Sequence, residues 1–316
     1  MRIVFMGTPE YSIPSLEALN EVFEVVGVYT QPDKKSGRKM LLQEPPVKKR
    51  AKELGLPVYQ PFNFRDEASI KELEALKPDF LAVVAYGIIL PKSVLSIPKY
   101  GAVNAHGSIL PMYRGASPMQ EAVKKGDLNS GVTTMLMDEG LDTGDMLLKE
   151  EVEIKDLMIS DVHDKLAELS ARLFVKTFRE FNSIKPIPQD DNKASITKKI
   201  SREDGYIEWG LSQKDIIQRF RAYYPWPGIT VMIEGKRLKI HAVSPVEDET
   251  SKEPGTVINI DKMGIIISVA DGLIPLRADV AAAPRRWRRG LQGRSAHRAG
   301  PRVGLQADGG GARRRR

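Results

Sequence analysis

GAVNAHGSILPMYRGASP, residues 101–118, is the stretch from which both the fold and the site can be read. It opens as a short apolar run that ends on Asn104 and His106, two positions apart. A strand there turns both side chains to one face. Gly107, Pro111, Gly115 and Pro118 then break regular structure, as a loop at a strand end does. A second β-rich run, VTTMLM (132–137), leads into DEGLDTGD (138–145), where Asp142 ends a neighbouring strand. An amide, an imidazole and a carboxylate at adjacent strand ends can stabilise an oxyanion and move protons. Each also has an ordinary explanation. Asn at a strand end is often a cap, a lone His a satisfied polar group, and DTGD a turn. Residue types alone leave both readings open.

Upstream, RIVF (2–5) reads as a strand, and Ile13, Leu16, Leu19 and Val22 mark one face of a helix. Strand and helix patterns then alternate: strands at 23–29 and 58–59, helices at 47–54 and 67–76. FLAVVA (80–85) is apolar throughout, as a strand buried on both faces requires. This βαβ rhythm predicts an α/β domain built on an open, mostly parallel, Rossmann-like sheet. Ligands of such sheets bind beyond the carboxyl ends of the strands, where Asn104 and His106 fall. The turn after the first strand lacks the GxGxxG spacing of a dinucleotide site.

Downstream, 131–137 and 146–154 read as strands and 159–181 as a long amphipathic helix. Its stripe of Val162, Leu166, Leu169 and Leu173 is packing, and Met135, Met137 and Met146 read as core fillers. IKPIPQDDN (184–192) is a proline-rich connector. The expected organisation is a catalytic domain over 1–183, a linker over 184–205, a second domain over 206–276 and a tail over 277–316. The second domain has a helix at 212–221 and short strands at 230–234, 237–243, 255–259 and 264–269, which suggests a small β-barrel. Tyr224 and Trp226 in its YPWPG turn either pack or stack on nucleotides, with packing favoured.

The 316 residues are 41% hydrophobic, enough for two cored domains. There are no cysteines, which excludes a thiol nucleophile and a Cys-ligated zinc and fits a reducing, cytoplasmic setting. The first residues form a strand rather than a signal peptide, and no apolar run approaches the ~20 residues of a membrane span. The net charge is +7, but residues 277–316 hold 12 Arg against two Asp, or +10. The preceding 276 residues hold 36 basic and 39 acidic groups, or −3, so bulk charge says little about a nucleic-acid surface on the body. The Arg/Gly/Ala-rich tail reads either as translation in a shifted frame or as a disordered basic arm.

The 31–39 segment, QPDKKSGRK, interrupts the βαβ rhythm. It is either a solvated loop or an insertion that orders on a phosphate backbone, with Lys34, Lys35, Arg38 and Lys39 as donors.

Several ordered motifs resemble those of the folate-dependent formyltransferases. They are the Asn104-x-His106 pair, the Ser108-Ile-Leu-Pro111 turn, the Arg114-Gly-Ala-Ser-Pro118 run and a distant Asp142. MGTPE (6–10) and LDTGD (141–145) match the branch that acts on tRNA, and the likeness extends over about residues 1–276. Ile109 stands where the family usually has Leu, and Gly107 where a small residue such as Ala is common. The resemblance implies 10-formyltetrahydrofolate as donor, initiator methionyl-tRNA as acceptor and no metal. It implies Asn104, His106 and Asp142 as the catalytic set. Tyr86, Gly87, Ile88, Ser108, Ile109, Leu110, Pro111 and Asp138 are the implied folate-binding residues. The 31–39 loop, with Gly37-Arg38, would meet the tRNA acceptor stem, and the C-terminal domain would be OB-like and assist tRNA binding. In this scheme His106 and Asn104 hold the developing oxyanion, and Asp142 orients the imidazole. A monomer is the default. The rivals are a formyltransferase for a nucleotide or amino-sugar amine, a 10-formyltetrahydrofolate hydrolase, and a non-catalytic tRNA binder.

Overall fold

The apolar runs of the N-terminal half assemble into one sheet in the computed structural model of the chain. It describes residues 1–36, 40–233, 236–246, 250, 252–261 and 264–278. The chain forms two units, Met1–Lys199 and a second beginning at Ile200. In the first, β1 (Arg2–Gly7), α1 (Ile13–Val22) and β2 (Glu24–Tyr29) lead to a hairpin, β3 (Lys34–Ser36) and β4 (Leu41–Gln43). There follow α2 (Pro46–Glu53), β5 (Val58–Tyr59), α3 (Glu67–Ala75), β6 (Phe80–Val84), α4 (Lys92–Leu95) and β7 (Gly101–His106). The two-residue strand β8 (Arg114–Gly115) precedes α5 (Pro118–Lys125), β9 (Asn129–Leu136), β10 (Met146–Glu153) and α6 (Ile159–Glu180). Last comes β11 (Ile196–Thr197).

The sheet has the order β10-β9-β7-β6-β1-β2-β5. The strands from β7 to β5 are parallel, and β9 and β10 add antiparallel pairs at one edge. The expected mostly parallel α/β sheet is therefore present. β6 is buried along its whole length, which is why its sequence shows no polar alternation. α6 lays Val162, Leu166, Leu169 and Leu173 into the core against α1, β9 and β10. From β1 the chain moves through β2 to β5, then returns to the other side of β1 with β6 and β7. The direction of winding thus reverses beside β1. The loops after β1, β6 and β7 open at that same edge of the sheet.

The boundary differs from the one composition suggests. Residues 184–199 are not a free connector; they lie along the first unit as a strap. Met146 and Ile187 exchange backbone hydrogen bonds of 2.9 Å each, and β11 pairs with β8 in parallel. Ser195 and Thr197 bond the backbone of residues 113–117. A proline-rich stretch has no periodic signal of its own. Its order comes from these short backbone pairings and side-chain bonds to distant segments.

The second unit holds α7 (Gln213–Tyr223), whose first turn is capped by the Ser212 hydroxyl, 3.0 Å from the Asp215 amide. Its strands are β12 (Ile229–Ile233), β13 (Lys236–Val243), β14 (Val257–Asp261), β15 (Gly264–Val269) and β16 (Gly272–Ala278). They form an antiparallel sheet of order β12-β13-β16-β15-β14, the small β domain expected. Four strands were expected and a fifth, β16, is present. Its Pro275 disguises it in sequence. Pro275 pairs with Ile266 of β15, while the pairing to β13 begins only at Leu276, so the missing N–H faces no strand. β16 continues through Arg277 and Ala278. The remainder of the tail, and Glu234 of the strand expected at 230–234, lie outside the described residues. Tyr224 stacks on Phe220 at 5.1 Å, whereas Trp226 is 57% exposed. Among the described residues no helix is long and apolar enough to cross a membrane.

Candidate active site

β7 is hydrogen-bonded on both sides, with Asn104 paired to Val83 of β6 and to Met135 of β9. Its period of two turns Asn104 and His106 to one face, and both line a cavity of about 650 Å³. The loop after β1 contributes Pro9 and Tyr11, and the loop after β6 contributes Ala85 to Ile89. Met119 on α5, Leu141 and Asp142 after β9, and His163 on α6 complete the wall. The cavity therefore sits at the carboxyl edge where the winding reverses.

His106 is 6% exposed and its two nitrogens are not equivalent. Nε2 lies 2.8 Å from the carbonyl oxygen of Tyr113. A carbonyl only accepts, so Nε2 is the donor. Nδ1 faces Asp142 Oδ2 at 3.6 Å, beyond a direct hydrogen bond but within an ion-pair distance. Nδ1 is thus the nitrogen left to exchange a proton. Asp142 Oδ2 in turn accepts the Gly115 amide hydrogen at 2.7 Å.

Three residues at this site hold left-handed backbone without being glycine: Ala85 (φ 48°), Tyr113 (φ 62°) and Asp142 (φ 53°). Such a conformation costs about 1–3 kcal/mol and persists only where the surroundings dictate it. For Asp142 the surroundings are Gln189 of the strap, whose Nε2 donates to the carbonyls of Asp142 and Gly144 at 2.8 Å each.

Two phenols also line the cavity. Tyr11 bonds Ser170 at 2.9 Å, and burial pushes its phenol up to about 12. Burial likewise raises the Tyr86 phenol. Both stay neutral near pH 7, which leaves His106 and Asp142 as the groups suited to move protons.

Of the folate-binding candidates, Tyr86, Gly87 and Ile88 line the cavity. The Tyr86 carbonyl is held by Thr8 Oγ1 (2.8 Å) and Gln31 Nε2 (3.0 Å). Gly87 has φ 77°, and a Cβ there would run into the Gln31 amide. Ser108, Ile109, Leu110 and Pro111 do not line it; they form the loop behind His106. Ser108 Oγ donates to the Met112 carbonyl (2.6 Å). Thr133 Oγ1 donates to the Ser108 carbonyl (2.8 Å) and accepts from the Leu110 amide (3.1 Å). Those bonds turn the chain so that the Tyr113 carbonyl meets the imidazole. Asp138 is also outside the lining. It accepts from Thr143 Oγ1 (2.8 and 2.9 Å) and the Gly140 amide (3.0 Å), tying the loop that carries Asp142.

Tyr11, Met119, His163 and Gln189 were not singled out in sequence. His163 sits beside the apolar stripe of α6 and reads there as a surface position. Its ring packs edge-on to Tyr11 at 5.3 Å. Gln189 lies in a stretch that reads as linker.

The 31–39 segment is less irregular than its composition suggests, since Lys34 to Ser36 pair with Leu41 to Gln43 in an antiparallel hairpin. Lys34 and Lys35 are exposed on it. Arg38 and Lys39 lie outside the described residues. Met40, Leu41 and Leu42 are exposed on the returning side, an apolar edge within a basic segment. Among the described residues no group of three His, Cys, Asp or Glu side chains is placed to hold a metal ion.

Comparison with known proteins bears on both units. Residues 1–178 match the family described as "Formyl transferase", and residues 199–280 match "Formyl transferase, C-terminal domain", a match that runs past Leu276. A protein of Clostridium perfringens (strain SM101 / Type A), named methionyl-tRNA formyltransferase, is 45% identical over 278 residues. These are 87% of this chain and 90% of that one. Among solved structures, the N-formyltransferase from Helicobacter canadensis, in complex with folinic acid and dTDP-3-aminofucose, superposes with a TM-score of 0.66. It is 17% identical, with 88% of this chain and 99% of that chain covered. HypX from Aquifex aeolicus, in complex with tetrahydrofolic acid, gives a TM-score of 0.58 at 18% identity. There 87% of this chain spans only 43% of the other. At these identities the two structures speak for the fold alone.

Proposed function

We propose that this chain, which belongs to the formyl transferase family, moves the formyl group of 10-formyltetrahydrofolate to the α-amine of methionyl-tRNA. The observation that carries the chemistry is the meeting of Asn104, His106 and Asp142 at one cavity. The acceptor follows from the relative at 45% identity, whose name specifies methionyl-tRNA. The sugar-directed neighbour stands at 17% and supports only the shared scaffold.

The cavity fits a folate. A flat heteroaromatic ring needs an apolar slot with a few polar anchors at one end. Val83, Ile88, Met119, Met137 and Leu141 supply the slot, and Asn104, His106 and Asp142 stand together among them. When bound, the folate supplies an activated formyl carbon. The chain's own residues do the rest. As the amine adds to that carbon, negative charge grows on the formyl oxygen, and the Asn104 amide and the His106 imidazolium, through its Nδ1–H, are the donors for it. One such donor is worth roughly 3 kcal/mol, about a hundredfold in rate. His106, protonated on Nδ1, then passes that proton to the folate nitrogen as the bond from that nitrogen to the formyl carbon breaks, and the Asp142 carboxylate opposite it supports the imidazolium until then. Asp142 also offers an acceptor for the proton the amine must lose. Holding both substrates in register supplies much of the remaining acceleration. Lys34 and Lys35 on the hairpin, with Arg38 and Lys39, are the donors for the tRNA phosphate backbone.

The deciding experiment is transfer of labelled formyl to methionylated initiator tRNA, compared with elongator tRNA and free methionine. Preferential labelling of the initiator is the expected result. Formate release that ignores added acceptor would instead make the protein a hydrolase. His106→Ala should lower turnover by about 10²- to 10⁴-fold while methionyl-tRNA binding is retained. Near-normal turnover in that variant would remove His106 from the chemistry.

A further inference from the structure

We propose that Gln189 is a positioning residue for this reaction, acting through Asp142; the kinetic part of the argument rests on the function proposed above. The side chain sits in the strap, far along the chain from the residues it touches. Its Nε2 donates to two carbonyls, Asp142 and Gly144, at 2.8 Å each. Its Oε1 accepts from Arg114 Nε at 3.0 Å. Those partners fix which end of the amide is which, since carbonyls only accept and a guanidinium only donates.

The consequence is geometric. Asp142 adopts φ 53°, left-handed backbone that aspartate tolerates better than most residues but that its surroundings must still select over the ordinary regions. Gln189 grips its carbonyl from outside the cavity, so the carboxylate is directed inward to the Gly115 amide (2.7 Å) and toward His106 Nδ1 (3.6 Å). The same glutamine, through Arg114, joins this loop to the one that presents the Gly115 amide and the Tyr113 carbonyl. Arg114 is itself buried and paired with Asp191 of the strap at 2.8 Å. One side chain therefore ties together the two loops that frame the imidazole. Misplacing a reacting group by about 1 Å can cost on the order of a hundredfold in rate.

The test uses the full chain. Gln189→Met keeps length and packing but removes both donated bonds, and Gln189→Glu keeps the contact to Arg114 while placing a carboxylate against two carbonyls. Both should lower kcat by about 10- to 100-fold with KM for donor and acceptor within about twofold, the signature of a group that acts only on the reacting geometry. In parallel, the exchange rate of the Gly115 amide hydrogen, read by NMR on ¹⁵N-glycine-labelled protein, should rise about tenfold or more as the Asp142 carboxylate leaves it. This second reading does not depend on any activity. If the wild-type chain transfers no formyl, the proposed function falls and the Gly115 amide still decides the role of Gln189. Unchanged Gly115 exchange, unchanged kcat, or a rise in KM at constant kcat in folded variants would each overturn the inference.

Discussion

The two partners across the imidazole–carboxylate gap are held in opposite ways. His106 is anchored by its own neighbourhood: β7 is paired on both edges, and the loop that presents the Tyr113 carbonyl follows within seven residues. Asp142 stands on an exposed loop and depends on a residue 47 positions later. Local order makes the first side robust, since a strand in the middle of a sheet opens only with the whole unit. The second side is adjustable, because the strap is held by side chains and short backbone pairings rather than by a long ladder. A site that must admit two bulky substrates gains from having one fixed wall and one that can be tuned.

That contrast can be broken at graded points. Asp142→Asn keeps the shape and an acceptor for the Gly115 amide but removes the charge; kcat should fall about a hundredfold or more with the melting temperature nearly unchanged. Gly115→Ala attacks the strap side. Gly115 has φ 103°, and an added Cβ would lie 2.5 Å from the Thr197 carbonyl oxygen. Loss of about 1–3 kcal/mol in urea unfolding is expected, together with lower kcat. Thr133→Val probes the fixed side by leaving the Ser108 carbonyl and Leu110 amide without their buried partner. It should cost about 1–3 kcal/mol of stability, with a smaller effect on kcat than Gly115→Ala because β7 itself is intact. The smallest effect belongs to Lys34→Ala or Lys35→Ala. Each should weaken tRNA binding and lower the salt slope of binding by about one, leaving folate affinity alone. An effect on kcat from either lysine would place the hairpin closer to the chemistry than the cavity wall indicates.

The fixed side was legible in the sequence and the adjustable side was not. FLAVV at 80–84 and the two-residue spacing of Asn104 and His106 declare buried strand and shared face, because periodicity is a local property. The stripe of α6 is legible for the same reason. Gln189, Ser195 and Thr197 make scattered, long-range side-chain bonds, and such bonds leave no period. Prolines around them then imitate a linker. The Ser108 to Pro111 turn acts on the site in another way. Its residue types mark the site, yet they serve it from behind by shaping the Tyr113 carbonyl. Asp138 likewise acts from within its loop, where its carboxylate accepts from Thr143 and Gly140. β16 was hidden by Pro275, which its one-sided pairing tolerates.

The strap has a practical consequence for dividing the molecule. A fragment cut after residue 183 would retain every strand of the large sheet and all three proposed catalytic side chains. It would lack Gln189, Asp191, Ser195 and Thr197, and with them the outer grip on the aspartate loop. Such a piece would pass a test for secondary structure and fail one for turnover. A piece meant to keep the proposed site intact must therefore reach at least Thr197, and the first unit itself runs to Lys199.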